Sequence, residues 1–360
     1  MIQPETPPAD LGFSMPAEWE RHEATWIAWP HNRTDWPGKI VPVYWVYGEI
    51  VRKIAPGEVV RILVDSGQHE AQARRILTRA GVDLSRIEFF RFPTDRGWSR
   101  DFGPICVRRK SPRPEVAVVR FKFTGWGHKY RDYRKDDRIA EKVAKALGLR
   151  VFPVLRNAKP VALEGGAIDV NGRGTLLTAQ ECFLHPTIQV RNPGLTRRDY
   201  DEVFKRNLGV TNVLWLKDGI AGDDTHGHVD DLCRFVNPAT VVLVQEADPG
   251  DVNYRPLRQN RELLEGMRLQ DGSRIRIVDL PMPAPLYIDG VRLPASYANF
   301  YISNAAVIVP TFNDPADRMA LGILGELFPD RQVVGIHAVD LVLGFGTLHC
   351  LTQQQPAAEG

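Results

Sequence analysis

The chain has 360 residues, of which 43% are hydrophobic and 25% charged, the usual mixture for a folded protein with a sizeable core. Its formal net charge is +2, so overall charge gives no reason to expect nucleic acid or a membrane surface as a partner. No apolar stretch approaches the roughly 20 residues of a membrane span, and Met1 to Thr6 lack the features of a signal peptide. We therefore expect a cytoplasmic protein whose four cysteines stay reduced: Cys106, Cys182, Cys233 and Cys350.

Strands and helices alternate along the chain. Residues 1–14 are rich in proline and are expected to form a flexible N-terminal segment. Runs rich in β-branched and aromatic residues then predict strands at 25–29, 59–64, 87–92, 116–123, 240–245, 275–280 and 306–312. Apolar periodicity and helix-end signals predict helices at 44–54, 68–80, 137–147, 196–208, 257–267 and 314–327. The pattern indicates an α/β protein, and the strand-helix-strand rhythm recurs about five times, which permits repeated structural modules.

The densest polar cluster is Thr225-His226-Gly227-His228-Val229-Asp230-Asp231, just ahead of a predicted strand. On an extended chain His228 and Asp230 point to the same side. Three interpretations remain open at this point. The segment is a surface loop, or a general acid/base histidine beside a cation-binding carboxylate, or a metal site in which His226 and His228 are ligands.

Other segments place single polar residues near strand ends. Asp101, in Trp98-Ser99-Arg100-Asp101-Phe102-Gly103-Pro104, binds substrate, pairs with Arg100 or caps a turn. Glu164 precedes two glycines, which allow close approach of another backbone or a ligand. Asn299 is a polar residue among aromatic ones. Cys350 lies in a specific, glycine-spaced run close to the C-terminus, where a thiol is either structural or nucleophilic.

Taken together, these segments resemble the agmatine deiminase and microbial peptidyl-arginine deiminase family. The resemblance spans nearly the whole chain in family order and rests on Met15-Pro16-Ala17-Glu18-Trp19-Glu20, His22-Glu23-Ala24-Thr25-Trp26, Trp98 to Pro104, Glu164-Gly165-Gly166, His226 to Asp230, Asn299-Phe300-Tyr301, Phe312-Asn313-Asp314-Pro315 and His349 to Pro356. It implies the pentein fold, a five-bladed α/β propeller of ββαβ-type modules around a central channel. Residues 15–360 would then form one catalytic domain, in place of the two domains that length alone suggests.

The resemblance also implies hydrolysis of a guanidine with no metal or organic cofactor. By position, Cys350 matches the nucleophile, His228 the general acid/base and Glu164 the residue that supports the histidine. Asp101 and Asp230 match the carboxylates that grip the guanidinium, and we add Trp98 and Asn299 as substrate-binding residues. The expected partner is a small guanidine, agmatine first, with a homo-oligomer possible.

Three alternatives accompany that expectation. The same chemistry would serve arginine, peptidyl arginine or another alkyl guanidine. A zinc-dependent hydrolase would use His226 and His228 with Cys233 or Cys350. A non-catalytic relative would only bind guanidino compounds. Phe345, Thr347 and Leu348 stand where many family members have a more glycine-rich approach to the cysteine, and Phe102 replaces an expected threonine, so the substrate's tail is the least specified feature.

Overall fold

The computed structural model describes residues 6–359. Its strands are β1 (His22–Ala28), β2 (Val59–Leu63), β3 (Ile87–Phe90), β4 (Ile105–Arg109), β5 (Glu115–Arg120), β6 (Arg150–Pro153), β7 (Leu155–Arg156), β8 (Lys159–Pro160), β9 (Asp169–Val170), β10 (Thr175–Ala179), β11 (Asn212–Leu216), β12 (Cys233–Asn237), β13 (Thr240–Gln245), β14 (Arg276–Pro281), β15 (Tyr287–Ile288), β16 (Val291–Arg292), β17 (Tyr301–Ile302), β18 (Ala306–Thr311), β19 (Gln332–His337) and β20 (Thr352–Pro356). The helices are α1 (Ile40–Ile54), α2 (Gly67–Arg79), α3 (Ser99–Phe102), α4 (Gly125–His128), α5 (Ile139–Leu147), α6 (Gln180–Leu184), α7 (Arg197–Leu208), α8 (Tyr254–Gly266) and α9 (Ala316–Leu327).

Local sequence signals explain where the longer helices begin and end. A capping box starts α7, since the Thr196 side chain accepts from the Asp199 amide and the Asp199 carboxylate accepts from the Thr196 amide. Gly148 ends α5 in the left-handed conformation that glycine adopts without strain. The six predicted helices are confirmed within a few residues, and α1 starts earlier than predicted, at Ile40.

Five sheets follow one connection rule. In each, a first strand pairs antiparallel with a second, and a third strand then pairs parallel with the second after a crossover that contains a helix. The five sets are β20-β1-β2, β4-β5-β6, β9-β10-β11, β12-β13-β14 and β17-β18-β19, and β3 extends the first set. The α/β class is confirmed, and the sheets match the five-fold rhythm of the sequence.

The first of these sheets joins the two ends of the chain. β20 pairs antiparallel with β1, so that Thr25 faces Gln354 and Trp26 faces Gln353. The three glutamines of β20, Gln353 to Gln355, are buried there. A C-terminal strand with partners along its length does not fray, which fixes the chain immediately after Cys350.

The N-terminal segment is packed from an earlier residue than the sequence predicted. Phe13 is buried against Phe152, with ring centroids 5.4 Å apart, and Ser14 pairs with Arg108 in an antiparallel bridge. The prediction of a flexible segment over residues 1–14 is therefore wrong for Phe13 and Ser14, because the aromatic side chain of Phe13 buries a large apolar area. Residues 1–5 lie outside the described part of the chain.

Apolar side chains from all five sheets fill a large core and a second core cluster next to it. Within residues 6–359, every helix is too short or too polar to traverse a lipid bilayer.

Gln355 offers a test of the joined chain ends. Its side-chain oxygen accepts from Trp26 Nε1 at 3.0 Å and from Arg61 Nη1 at 2.7 Å. Gln355→Ala leaves both buried donors short of a partner, so we expect the free energy of unfolding to fall by about 1–3 kcal/mol. Urea unfolding measures this, with the exposed strand residue Gln332→Ala as the matched control. Equal stabilities of the two variants would contradict the structural role of Gln355.

Candidate active site

The predicted site residues occupy equivalent places in the five sheets. Each lies on the segment that enters the first strand of a sheet: Asp101 before β4, Glu164 before β9, His228 and Asp230 before β12, Asn299 before β17 and Cys350 before β20. Residues far apart in sequence are thereby brought into contact. A pocket reaches Cys350, and its lining includes Trp98, Asp101, Trp126 and Phe345.

Asp101 is held by two donors. The Gly166 amide donates to Oδ1 at 3.1 Å, and the Trp126 indole N–H donates to Oδ2 at 2.8 Å. Burial, reinforced by the nearby Asp230 carboxylate, raises the pKa of Asp101 to about 6 in spite of the opposing charge of His228. Asp101 is therefore a carboxylate at neutral pH that gains a proton in mildly acidic solution.

His228 lies between two carboxylates. Its Nδ1 is 3.7 Å from Asp101 Oδ1 and its Nε2 is 3.5 Å from Glu164 Oε2. Burial alone lowers the pKa of His228, but Asp101, together with the adjacent Cys182 and Glu164, outweighs it and raises the pKa well above its ordinary value. Neither ring nitrogen makes a hydrogen bond within the usual distance limits to a described residue: Nδ1 faces Asp101, and Nε2 faces Glu164 with Cys182 close by.

Glu164 is fully buried and remains charged because of Arg191. The Arg191 Nε donates to both carboxylate oxygens, at 3.1 and 3.3 Å. Burial raises the pKa of Glu164, and the Arg191 guanidinium more than offsets that effect, so the pKa lies below its ordinary value. No pattern in the sequence had marked Arg191 as this partner.

Cys350 is buried beside carboxylates. Its Sγ lies 3.7 Å from Asp230 Oδ2 and accepts a hydrogen bond from Asn299 Nδ2 at 3.1 Å. Burial raises the pKa of the Cys350 thiol well above its ordinary value, and the charges of Asp230, Asp231 and Asp101 add to this. Without a ligand the thiol is therefore protonated at neutral pH.

Asp230 has the opposite electrostatic surroundings to Asp101. Its Oδ2 is 2.7 Å from His349 Nδ1, and its Oδ1 has no hydrogen-bond partner among the described residues. Burial raises the pKa of Asp230, but the hydrogen bond and charge of His349 lower it below its ordinary value. Asp230 is thus the firmly ionised carboxylate of the pair.

Trp98 and Asn299 occupy different positions relative to the pocket. The Trp98 indole lines it and packs against Trp36, with ring centroids 5.2 Å apart. Asn299 lies behind the thiol, where its Oδ1 accepts from Thr347 Oγ1 at 2.7 Å and from the His349 amide at 3.0 Å. Within residues 6–359, the side-chain hydrogen bonds of Asn299 go to the cysteine segment and to Asp231.

His226 turns away from His228. Its Nδ1 is 3.2 Å from Glu181 Oε1, and its ring packs edge-on against His185. Over residues 6–359, the groups of three close metal-ligating side chains are Glu164 with Cys182 and His228, and Asp230 with Asp231 and Cys350. The ligand set considered for zinc, His226 and His228 with Cys233 or Cys350, does not come together.

Besides Arg191, sequence reasoning missed three contributors to the site: Trp126, Glu18 and His349. Trp126 has a left-handed backbone (φ 56°), an uncommon conformation for a tryptophan that aims its indole at Asp101. Glu18 and His349 lie within segments that carried the family resemblance, but their contact spans the length of the chain. The pair of glycines around Trp126, at 125 and 127, was the available signal for unusual backbone geometry there.

An α/β scaffold that holds a buried thiol, an imidazole and several carboxylates at one pocket defines a protein with a thiol-containing site for a cationic ligand. A family model, the Porphyromonas-type peptidyl-arginine deiminase, matches residues 14–356. The chain therefore belongs to that family, which confirms the resemblance found in its sequence.

Proteins named agmatine deiminase are among its relatives. One from Pseudomonas fluorescens is 36% identical over 376 residues, which cover 98% of this chain and 98% of that protein. One from Ectopseudomonas mendocina is 34% identical over 377 residues, 99% of this chain and 98% of the relative. The solved agmatine deiminase of Enterococcus faecalis superposes with a TM-score of 0.88 at 29% identity, covering 98% of both chains.

Gly166 tests whether the site depends on free space between its charged groups. A Cβ at this position would lie 2.6 Å from His228 Nδ1, 2.9 Å from Asp101 Oδ1 and 3.0 Å from Asp230 Oδ2. Gly166→Ala should lower kcat/KM by about 100-fold or more, because catalytic groups must move apart. Steady-state kinetics on a guanidine substrate measures this effect.

Gly322→Ala is the matched control. Gly322 lies on the exposed face of α9, and a Cβ added to it would have open space on all sides, so the same methyl group should leave kcat/KM unchanged. Full activity of Gly166→Ala would show that the three side chains do not act at this spacing.

Proposed function

We propose that this chain is a deiminase that hydrolyses agmatine to N-carbamoylputrescine and ammonia through a covalent intermediate on Cys350. The observation that carries the proposal is the convergence of Cys350, His228, Asp101 and Asp230 beside one pocket. The names of its relatives and of the solved E. faecalis protein support the choice of reaction.

Two carboxylates suit a guanidinium, which is planar, permanently charged and presents N–H donors in a fork. In this proposal Asp101 and Asp230 each accept N–H groups of the substrate and hold its central carbon beside Cys350. The open Oδ1 of Asp230 is one place for such a donor. Trp98 would cover the guanidinium or the adjoining methylene groups through its indole.

The substrate's own charge would prepare the nucleophile. Burial and the neighbouring carboxylates raise the pKa of the Cys350 thiol. A bound guanidinium offsets their negative charge, and protonated His228 adds a second positive charge, so both favour the thiolate. A ligand without positive charge would leave the thiol protonated, which makes the site selective for cations.

The reaction then has two halves. The thiolate attacks the central carbon, His228 donates a proton to one nitrogen, and that nitrogen leaves as ammonia with its C–N bond broken. This leaves an S-alkylthiouronium on Cys350. Neutral His228 next takes one proton from water while the water oxygen bonds to the same carbon. The C–S bond then breaks to release the thiolate, and the second proton leaves that oxygen for the solvent, where ammonia takes it up as ammonium, so that the ureido carbonyl forms. Glu164 would orient the imidazole from its other side.

The remaining pocket lining favours a cationic tail. Besides Asp101 its charged residues are Asp35 and Arg96, which pair with each other, and Asp224, which pairs with Lys129. The carboxylates of Asp35 and Asp224 are the groups in this lining that would accept the terminal ammonium of agmatine. Arg96 is the one feature of this lining that would suit a carboxylate-bearing guanidine such as arginine, although Asp35 already binds it.

We also infer that the five sheets are the blades of a pentein propeller formed by a single domain, 15–360. The common strand order and the equivalent placement of the site segments support this arrangement. A cytoplasmic location, a small-molecule guanidine partner and a possible homo-oligomer complete the proposal, since a reducing compartment keeps free thiols unoxidised.

A guanidine panel with a thiol variant tests the function. Agmatine, arginine, a blocked arginine peptide and guanidinobutyrate are assayed for ureido product and ammonia. We expect agmatine to give the highest kcat/KM, with turnover that survives EDTA and is abolished by iodoacetamide. Cys350→Ser should lose turnover because an alcohol is far less acidic and less nucleophilic than a thiol.

Cys106→Ser is the control for that substitution, because Cys106 is buried in β4 and its thiol contacts the Pro104 carbonyl at 3.6 Å. Cys350→Ser with wild-type turnover would refute the nucleophile assignment. Stoichiometric zinc whose removal abolishes activity would favour the metal-dependent alternative, and tight binding of guanidines without turnover would favour a binding protein.

The pH dependence of kcat/KM should report Asp101. Its pKa is raised to about 6, so the carboxylate that binds the guanidinium is present above that pH and is lost as pH falls through it. The acidic limb of kcat/KM should therefore lie near pH 6, whereas that of kcat should lie lower, because bound substrate favours the carboxylate. Asp101→Asn should have low kcat/KM throughout and lack this limb. A wild-type profile that is flat down to pH 5 would contradict the role of Asp101.

A further inference from the structure

His349 connects two carboxylates through its two ring nitrogens. Its Nδ1 is 2.7 Å from Asp230 Oδ2 and its Nε2 is 2.8 Å from Glu18 Oε2, and all three residues are buried. A neutral imidazole has one N–H and can donate to only one of them. Short contacts at both nitrogens therefore require a proton on each, or a proton on one carboxyl group.

The contacts of Glu18 argue against a proton on its carboxyl group, because both of its oxygens already accept hydrogen bonds. Its Oε1 accepts from Arg234 Nη2 at 2.9 Å and from the Ile302 amide at 2.8 Å, and its Oε2 accepts from Arg100 Nη2 at 3.1 Å. Burial raises the pKa of Glu18, but Arg234, His349 and Arg100 together lower it well below its ordinary value. Glu18 is therefore a charged acceptor for His349.

We propose that His349 is a positioning residue that carries a proton on both ring nitrogens and thereby holds Asp230 charged and aimed at the substrate guanidinium. This inference rests on the deiminase function proposed above. His349 acts through Asp230 and does not itself line the pocket.

Other charged groups surround this chain of contacts. His349 is faced by Asp230 and Glu18. Asp169 lies close enough for the charge of His349 to lower its pKa, against the larger effect of burial, and the centroids of the Tyr301 and His349 rings are 6.4 Å apart. Asp230 is faced by His349, His228, Arg234, Asp231, Asp101 and the Cys350 thiol. The carboxyl groups near Asp230 would favour its protonation, so a positive charge in direct contact is needed to keep it ionised.

The inference explains why the two guanidinium-binding carboxylates differ. Asp101 is held by an amide and an indole N–H, which are neutral donors. Asp230 is held by an imidazolium, in the strong charge-assisted class of hydrogen bond. Asp230 would then remain a fixed anchor over the pH range in which Asp101 titrates.

The same residue also fixes the distance from Asp230 to the nucleophile. His349 directly precedes Cys350, and its amide donates to the Asn299 backbone carbonyl at 3.1 Å and to Asn299 Oδ1 at 3.0 Å. The ring fixes Asp230 while the backbone fixes Cys350. A displaced His349 would therefore change both the charge of Asp230 and its position relative to the thiol.

Two substitutions separate charge from hydrogen bonding. His349→Asn retains an N–H donor on the side of Asp230 but no positive charge, and His349→Leu retains neither. We expect KM for agmatine to rise by about 10-fold in His349→Asn and by about 100-fold in His349→Leu, with a smaller change in kcat. In both variants the acidic limb of kcat/KM should move to higher pH and become steeper, because Asp230 now titrates together with Asp101.

The matched control is His337→Asn, because His337 is an exposed histidine in β19. This substitution should leave the pH profile of kcat/KM unchanged. A purely structural role would lower stability or kcat without moving the acidic limb, and that outcome would overturn the proposal. Where a His349 variant does not fold, neutron diffraction of the wild-type protein decides: deuterium on both ring nitrogens supports the proposal, and a neutral ring contradicts it.

Binding measurements keep this test separate from the proposed function. Titration calorimetry of agmatine into Cys350→Ser and into Cys350→Ser/His349→Asn needs no turnover. Weaker, more pH-sensitive binding in the double variant supports the role of His349, and equal binding contradicts it. A wild-type protein that binds agmatine but forms no ureido product would instead contradict the deiminase function.

Discussion

The site and the fold depend on one buried carboxylate, that of Glu18. It accepts from Arg100 ahead of β4, from Arg234 in β12, from the Ile302 amide in β17 and from His349 ahead of β20. Arg234 in turn donates to Asp169 in β9. Glu18 therefore connects all five sheets, through their first strands or through the segments that enter those strands. Taking this many charges out of water is costly, and only complete pairing offsets the cost. The buried ion pairs therefore restrict the relative positions of the sheets, because every charge has its partner in only one arrangement.

That constraint also determines the electrostatics around the thiol. Against the effect of burial, His349 and Arg234, which both contact Glu18, lower the pKa of Asp230. Asp101 and the Cys350 thiol line the pocket, and burial raises the pKa of each. Burial, together with the charge of Asp230, raises the pKa of Asp231 well above its ordinary value. In the proposed function, a cationic ligand would supply the positive charge that these pocket groups lack, and this requirement would give the site its selectivity.

Much of this structure could be predicted because its signals are local. Thr196 with Asp199, and Gly148, mark helix ends through contacts within a few residues. The segments of Asp101, Glu164, His228 and Cys350 were found because each combines polar residues with glycine or a strand boundary. Trp126, Arg191 and the pair of Glu18 with His349 were not found, since their roles arise from contacts between distant segments and, for Trp126, from an unfavourable backbone conformation. The packing of Phe13 against Phe152 was missed for the same reason.

The position of Cys350 near the end of the chain follows from these contacts. The Arg100 amide donates to the Cys350 carbonyl, and Ser99 Oγ donates to the Leu351 carbonyl, so the cysteine segment is bound to the segment that carries Asp101. A Cβ on Gly346 would lie 2.8 Å from the Trp98 ring and 3.2 Å from Cys350 Sγ, which leaves space for glycine alone between the indole and the thiol. The pairing of β20 with β1 then prevents the segment from withdrawing. Cys350 is thus fixed in place near the end of the chain, because its neighbours on both sides bind to other segments of the fold.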